Sequence, residues 1–219
     1  MMRALVYACL FILAACSSDS NREQAALDAV VIVYTTAQGS AHGSGVVVGQ
    51  GLILTAGHVS RGRETLIAFR DGEIVAGKEV KMALEGPAPD LALVYASTGD
   101  REAVSVRCTP VAVGEPLYTV GHPVVSRWTV IWGKVASVDL LEGSDRELIG
   151  EDGSYFIAQM PVAPGSSGGP VFDSDGNLVG VATALLNAPM PMGFGSISVP
   201  TSLAIIQSPA TICEFLLDA

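Results

Sequence analysis

Along most of the chain, short β-branched apolar runs alternate with glycine and polar turn residues, a pattern that predicts an all-β fold. A first set predicts strands at Val30–Tyr34, Gly45–Val48, Leu52–Leu54, Thr65–Phe69, Glu73–Ala76 and Leu91–Tyr95. A second set predicts Pro116–Val120, Trp128–Trp132, Lys134–Val138, Tyr155–Ala158, Pro170–Phe172, Leu178–Ala182 and Ser196–Val199. Six or seven strands either side of residues 100–115 fit two packed, six-stranded antiparallel β-barrels, and closing each sheet leaves few exposed edges. Thr201 and Ser202 offer an N-cap for a closing helix to about residue 216, which Pro209 must interrupt or delay.

One stretch breaks the pattern. In Pro164-Gly165-Ser166-Ser167-Gly168-Gly169-Pro170, glycines on both sides of Ser167 allow a tight turn that projects the hydroxyl and converges the neighbouring amides. Alone, the stretch is equally a flexible linker. Two others change that balance: Thr55-Ala56-Gly57-His58-Val59 follows one predicted strand, and Pro89-Asp90 opens another. Singly, His58 reads as a core histidine and Asp90 as a turn aspartate. Taken together, a histidine, an aspartate and a serine stand beside core strands in that order. An esterase of the α/β-hydrolase type has the order Ser, Asp, His and is excluded.

These three motifs resemble those of the trypsin/chymotrypsin-type serine proteases. Gly43-Ser-Gly-Val-Val-Val-Gly49 followed by Leu52-Ile-Leu-Thr-Ala-Gly-His-Val59 is closer to the bacterial Deg (HtrA-type) and glutamyl-endopeptidase branch than to digestive trypsins. The resemblance covers roughly residues 28 to 216 and implies a chymotrypsin-like fold with its site between the barrels. It implies that Ser167 attacks the scissile carbonyl, His58 shuttles the proton and Asp90 orients the imidazole, with the amides of Gly165 and Ser167 as the oxyanion hole. It implies no metal and no organic cofactor. Ser166 stands where the family usually has Asp or Asn, and Val59 where trypsins have a cysteine. His42 and His122, beside turns, are read as structural or exposed. Counting back from Ser167 places the floor of the specificity pocket at Pro161 and its wall at Val181, Ala182 and Thr183. With no aspartate at that floor, cleavage beside a small or medium apolar residue is expected.

The amino terminus changes the picture of location. Residues 1–15 carry Arg3 and then an apolar run too short to span a bilayer comfortably, a secretory signal. Leu13-Ala14-Ala15-Cys16 resembles the lipobox of bacterial lipoproteins, which implies acyl chains on Cys16 and an envelope-anchored protein, periplasmic or at the cell surface. Residues 16–27 then read as a polar tether, 28–105 as an N-terminal barrel carrying His and Asp, 106–200 as a C-terminal barrel carrying Ser, and 201–219 as the closing helix. No room for a PDZ module is expected after Val199. Of four cysteines, Cys9 lies in the signal and Cys16 is the lipid site. By resemblance to trypsins, Cys108 and Cys213 are expected as a disulfide between the interdomain segment and the last helix; two reduced thiols are the alternative. A formal net charge of −10 argues against nucleic acid as a partner and leaves anchoring to the lipid. The expected function is a serine endopeptidase acting on proteins or peptides; the alternative is an inactive protease fold kept as a binding module.

Overall fold

The structure is a computed structural model describing residues 22–35, 42–61, 64–83, 89–139, 153–192 and 195–218. The expected signal (1–15) and Cys16 lie outside these residues. After a helix at residues 22–29 (α1) the first barrel runs β1 (Val30–Thr35), β2 (His42–Gly49), β3 (Leu52–Thr55), a single helical turn α2 (Gly57–Ser60), β4 (Glu64–Ala68), β5 (Ile74–Ala83) and β6 (Leu91–Ala96). It closes in the order β1-β2-β3-β6-β5-β4. The second barrel comprises β7 (Pro116–Gly121), β8 (Thr129–Ser137), β9 (Tyr155–Gln159), β10 (Pro170–Asp173), β11 (Leu178–Met192) and β12 (Gly195–Gln207), closed as β10-β11-β12-β9-β8-β7. All registered pairs within these barrels are antiparallel. The expected architecture of two six-stranded barrels is the one observed.

The strands read as continuous apolar runs because both of their faces are covered. In β1, Val31 and Val33 point into the first barrel while Val30 joins a cluster between the barrels; in β3, Ile53 and Leu54 divide in the same way. Val179 of β11 enters the second barrel's core, and Leu178 and Val181 face the cluster between the barrels. That shared cluster, with Leu91, Leu93, Val120 and Phe172, packs the barrels against each other. Along β5, where one face meets solvent, exposed and covered positions alternate.

Three expectations are corrected. The separate strands at Trp128–Trp132 and Lys134–Val138 are one strand, β8: Gly133 does not break it but lets β9 approach, since a Cβ there would collide with the Gln159 carbonyl. The closing helix does not begin at Thr201. Residues to Gln207 continue β12, with the Thr201 hydroxyl on the Leu186 carbonyl at 2.6 Å, and helix α3 spans Pro209–Leu217. Ser208 is its N-cap and Pro209 its first residue, where a missing N–H costs nothing. Finally, the distal part of the expected tether is helical in α1, with Ala26 and Ala29 buried.

The segment between the barrels binds to both of them. Val104 N–H donates to Val47 at 3.0 Å, Leu178 N–H to Ser105 at 2.7 Å, and the Arg107 guanidinium pairs with Glu115 at 2.7 Å and Asp173 at 2.8 Å. Cys108 and Cys213 form a disulfide with Cα atoms 5.7 Å apart, tying this segment to α3. Among the described residues no helix is long and apolar enough to cross a membrane.

Candidate active site

Helix α2 is one turn long and carries His58. Ala56 is extended at φ −77°, and Arg61 ends the turn in the left-handed region at φ 46°. Within the turn, Asp90 at the start of β6 accepts both donors His58 offers: backbone N–H to Oδ1 at 2.8 Å and Nδ1–H to Oδ2 at 2.5 Å. This two-point grip fixes the Nδ1–H tautomer and leaves the Nε2 lone pair available. Both side chains are partly exposed, at 32% and 26%.

Ser167 arrives from the other barrel. Its loop presses so closely on β2 and β3 that a Cβ at Gly168 would collide with the Ser44 carbonyl and the Thr55 hydroxyl, and would stand 2.8 Å from Ala56 N. Only glycine fits there, and its φ of +80° is equally reserved for glycine. The approach is locked by Ser44 N–H donating to the Ser167 carbonyl at 2.8 Å, and by Gly168 N–H donating to Ala182 at 2.7 Å. The Ser167 loop therefore lies against the strands that lead into the His58 turn. The Ser167 hydroxyl makes a long 3.5 Å contact to the Thr183 carbonyl, and no hydrogen bond joins it to His58 among the described residues.

Around the same turn three successive peptide carbonyls are each held by a donor. The Pro164 carbonyl accepts from Val124 N–H (2.8 Å), that of Gly165 from the Ser44 hydroxyl (2.8 Å) and that of Ser166 from Gly169 N–H (2.9 Å). Because a peptide is planar, a carbonyl drawn one way sends the adjoining N–H the other way. Ser166 N–H folds back to Ala163 at 2.9 Å, while the amides of Gly165 and Ser167, the two expected oxyanion donors, have no acceptor among the described residues. Ser166, buried where the family has an acid or amide, accepts only a weak bond from Ala163 N–H at 3.4 Å.

A pocket of about 200 Å³ opens beside Ser167. Val162, Ala163, Pro164, Ala184 and Leu185 line it together with Ala182 and Thr183, and no charged residue does. Pro161 and Val181, also expected there, are not in the lining: Pro161 is exposed and Val181 is buried between the barrels. On this side Val162 and Ala163, not Pro161, line the space beside Ser167.

The two remaining histidines are not remote from the site. His122 is fully buried: its Nδ1 is 3.0 Å and its backbone N–H 3.2 Å from the Ser44 hydroxyl, and its ring meets Trp128 edge-on at 4.9 Å. Its carbonyl accepts from His42 Nε2 at 3.0 Å. Burial, reinforced by His42 and Arg127, pushes the His122 pKa down to about 3. Gly121-His122-Pro123 carries no local sign of this role, because its partners are 78 residues away in sequence.

The model of the trypsin-like peptidase domain family matches residues 43–181, from β2 into β11, a stretch that holds His58, Asp90 and Ser167. The chain belongs to that family. It is 29% identical over 182 residues to the uncharacterized protein y4bJ of Sinorhizobium fredii, covering 82% of this chain and 27% of that protein. It is 27% identical over 168 residues to a probable periplasmic serine endoprotease DegP-like of Hahella chejuensis, covering 74% of this chain and 34% of that one. The chain thus spans about a third of the length of these curated relatives. Among solved structures, the HtrA-type protease AlgW with a tripeptide superposes with a TM-score of 0.71 at 24% identity, over 91% of this chain and 62% of that one. The Rv3671c protease in its inactive form gives 0.71 at 17% identity, over 90% and 92%. These two likenesses establish the fold.

Proposed function

We propose that the chain is a serine endopeptidase in which Ser167 is the nucleophile, His58 the general base and Asp90 the residue that fixes the imidazole. The observation that carries this reading is the pair of hydrogen bonds from His58 to Asp90, set beside a serine loop with two amides that have no acceptor among the described residues. A turn of the Ser167 side chain off the Thr183 carbonyl directs its hydroxyl to His58 Nε2. That nitrogen takes the proton as Oγ attacks the peptide carbonyl. The negative oxygen of the tetrahedral intermediate lies between the amides of Gly165 and Ser167, each worth about 3–4 kcal/mol in such sites. His58 then protonates the leaving amine, and water reverses the sequence on the acyl-enzyme.

The small, uncharged pocket supports cleavage after Val, Ala or Leu, since a charged side chain would be stranded there without a partner. Relatives named as periplasmic, together with the lipobox at Cys16, support an exported protein held in the envelope by lipid, acting on protein or peptide substrates. The test is a peptide library varied at the residue before the scissile bond. The full chain is expected to cut after small apolar residues, and Ser167→Ala and His58→Ala to leave every peptide intact. A folded wild type that cuts nothing contradicts the proposal and favours the binding module, for which the Ser167 contact to Thr183 is the supporting observation.

A further inference from the structure

The Ser44 hydroxyl occupies an unusual position: it belongs to the first barrel but is saturated by the second. Its oxygen lies 2.8 Å from the Gly165 carbonyl, 3.0 Å from His122 Nδ1 and 3.2 Å from His122 N. A hydroxyl has one proton and two lone pairs. The Gly165 carbonyl can only accept, so the proton goes there; the backbone N–H of His122 takes one lone pair and the ring must supply the other donor. This arrangement assigns the Nδ1–H tautomer to His122. The opposite tautomer would draw the Ser44 proton to Nδ1, strip the Gly165 carbonyl of its partner and bury an Nε2–H where Nε2 finds no acceptor.

The consequence falls on the oxyanion loop. Val124, two residues beyond His122, holds the Pro164 carbonyl from a left-handed backbone at φ 53°, a conformation a β-branched residue rarely adopts. His122 and Val124 thus act on successive carbonyls, those of Gly165 and Pro164. The space is tight as well: a Cβ at Gly165 would collide with the His122 carbonyl and approach His42 Nε2 to 2.9 Å.

We infer that His122 is a positioning residue: through the Ser44 hydroxyl its Nδ1–H fixes the Gly165 carbonyl and with it the Gly165–Ser166 peptide, the plane that joins the two peptides carrying the Gly165 and Ser167 amides, so that both amides keep their places around the reacting oxygen. This rests on the proposed protease activity. It assigns His122 no contact with substrate and no part in proton transfer.

The experiment compares His122→Leu, His122→Asn and His122→Gln in the full chain, with a p-nitrophenyl ester as substrate and an alkylboronic acid as the oxyanion-bearing inhibitor. Asparagine places an amide N–H where Nδ1 stands, and glutamine places one where Nε2 stands. His122→Leu is expected to lower kcat about 10- to 100-fold with KM within about threefold, and to weaken the boronate in parallel, as misaligned catalytic groups do. His122→Asn should return to within about threefold of wild type while His122→Gln stays with His122→Leu. A folded His122→Leu with unchanged kcat, a loss confined to KM, or glutamine matching asparagine overturns the inference. Should His122→Leu fail to fold, the contrast between asparagine and glutamine decides it. A wild type with no Ser167-dependent turnover instead overturns the activity on which the inference rests.

Discussion

The first barrel presents His58 and Asp90, the proposed base and its orienting carboxylate, locally, and the second presents Ser167, the proposed nucleophile, partly by long-range restraint. His58 and Asp90 meet through two bonds made directly between them, one from the backbone of a single helical turn. The Ser167 loop makes two bonds of its own, Ser166 N–H to Ala163 and Gly169 N–H to Ser166, and takes the rest from outside. The Pro164 carbonyl is held by Val124 from the loop after β7 and those of Gly165 and Ser167 by Ser44 from the opposite barrel, whose close approach also dictates Gly168. A base can be oriented by one neighbour; an oxyanion hole needs several peptide planes fixed together. The two halves of one site therefore depend on different parts of the molecule, and substitutions should separate them.

The largest effect is expected at the local pair. Asp90→Asn keeps an acceptor for the His58 N–H but sets an amide N–H against Nδ1, favouring the wrong tautomer, so kcat/KM should fall about 10⁴-fold with the fold intact by circular dichroism. Removing the disulfide by Cys108→Ser with Cys213→Ser is next. It spans 105 residues, and its loss should cost about 2–5 kcal/mol in urea unfolding while leaving kcat within about twofold, since no group of the site is touched. Gly165→Ala should lower kcat about 100-fold: its φ of +98° and the His122 carbonyl both oppose a Cβ. Gly72→Ala, at φ +94° but in open space, should cost stability alone.

The smallest effect is a pH slope. Folded His122 stays neutral down to about pH 3, whereas an unfolded histidine protonates near 6.5. The folded state therefore binds fewer protons over that interval, and stability is lost as pH falls from 6.5 toward 3. Carboxylates add acid lability of their own, but they are common to wild type and His122→Asn. Thermal midpoints measured between pH 7 and 4 should therefore decline more steeply for wild type than for His122→Asn.

The same division explains what the sequence disclosed. Both barrels were legible because continuous apolar runs such as Val30–Val33 follow from burial on two faces, and glycines around Ser167 are a local record of the turn. The closing helix was misplaced because Thr201 has the chemistry of a cap, yet its hydroxyl is taken by Leu186 across the β11–β12 hairpin. Gly133 looked like a break because a single sequence does not reveal that β9 passes over it. Pro161 and Val181 were assigned to the pocket by counting, which ignores the direction in which each side chain turns. His122 was passed over because Ser44, its partner, lies 78 residues away and leaves no local pattern in Gly121-His122-Pro123.

The most direct measurement is fluorophosphonate labelling of the full chain, with the adduct mapped by mass spectrometry. One adduct per chain is expected, on Ser167, formed by wild type and abolished in His58→Ala although the serine is still present. An adduct on another residue, or no adduct on a folded wild type, would contradict it.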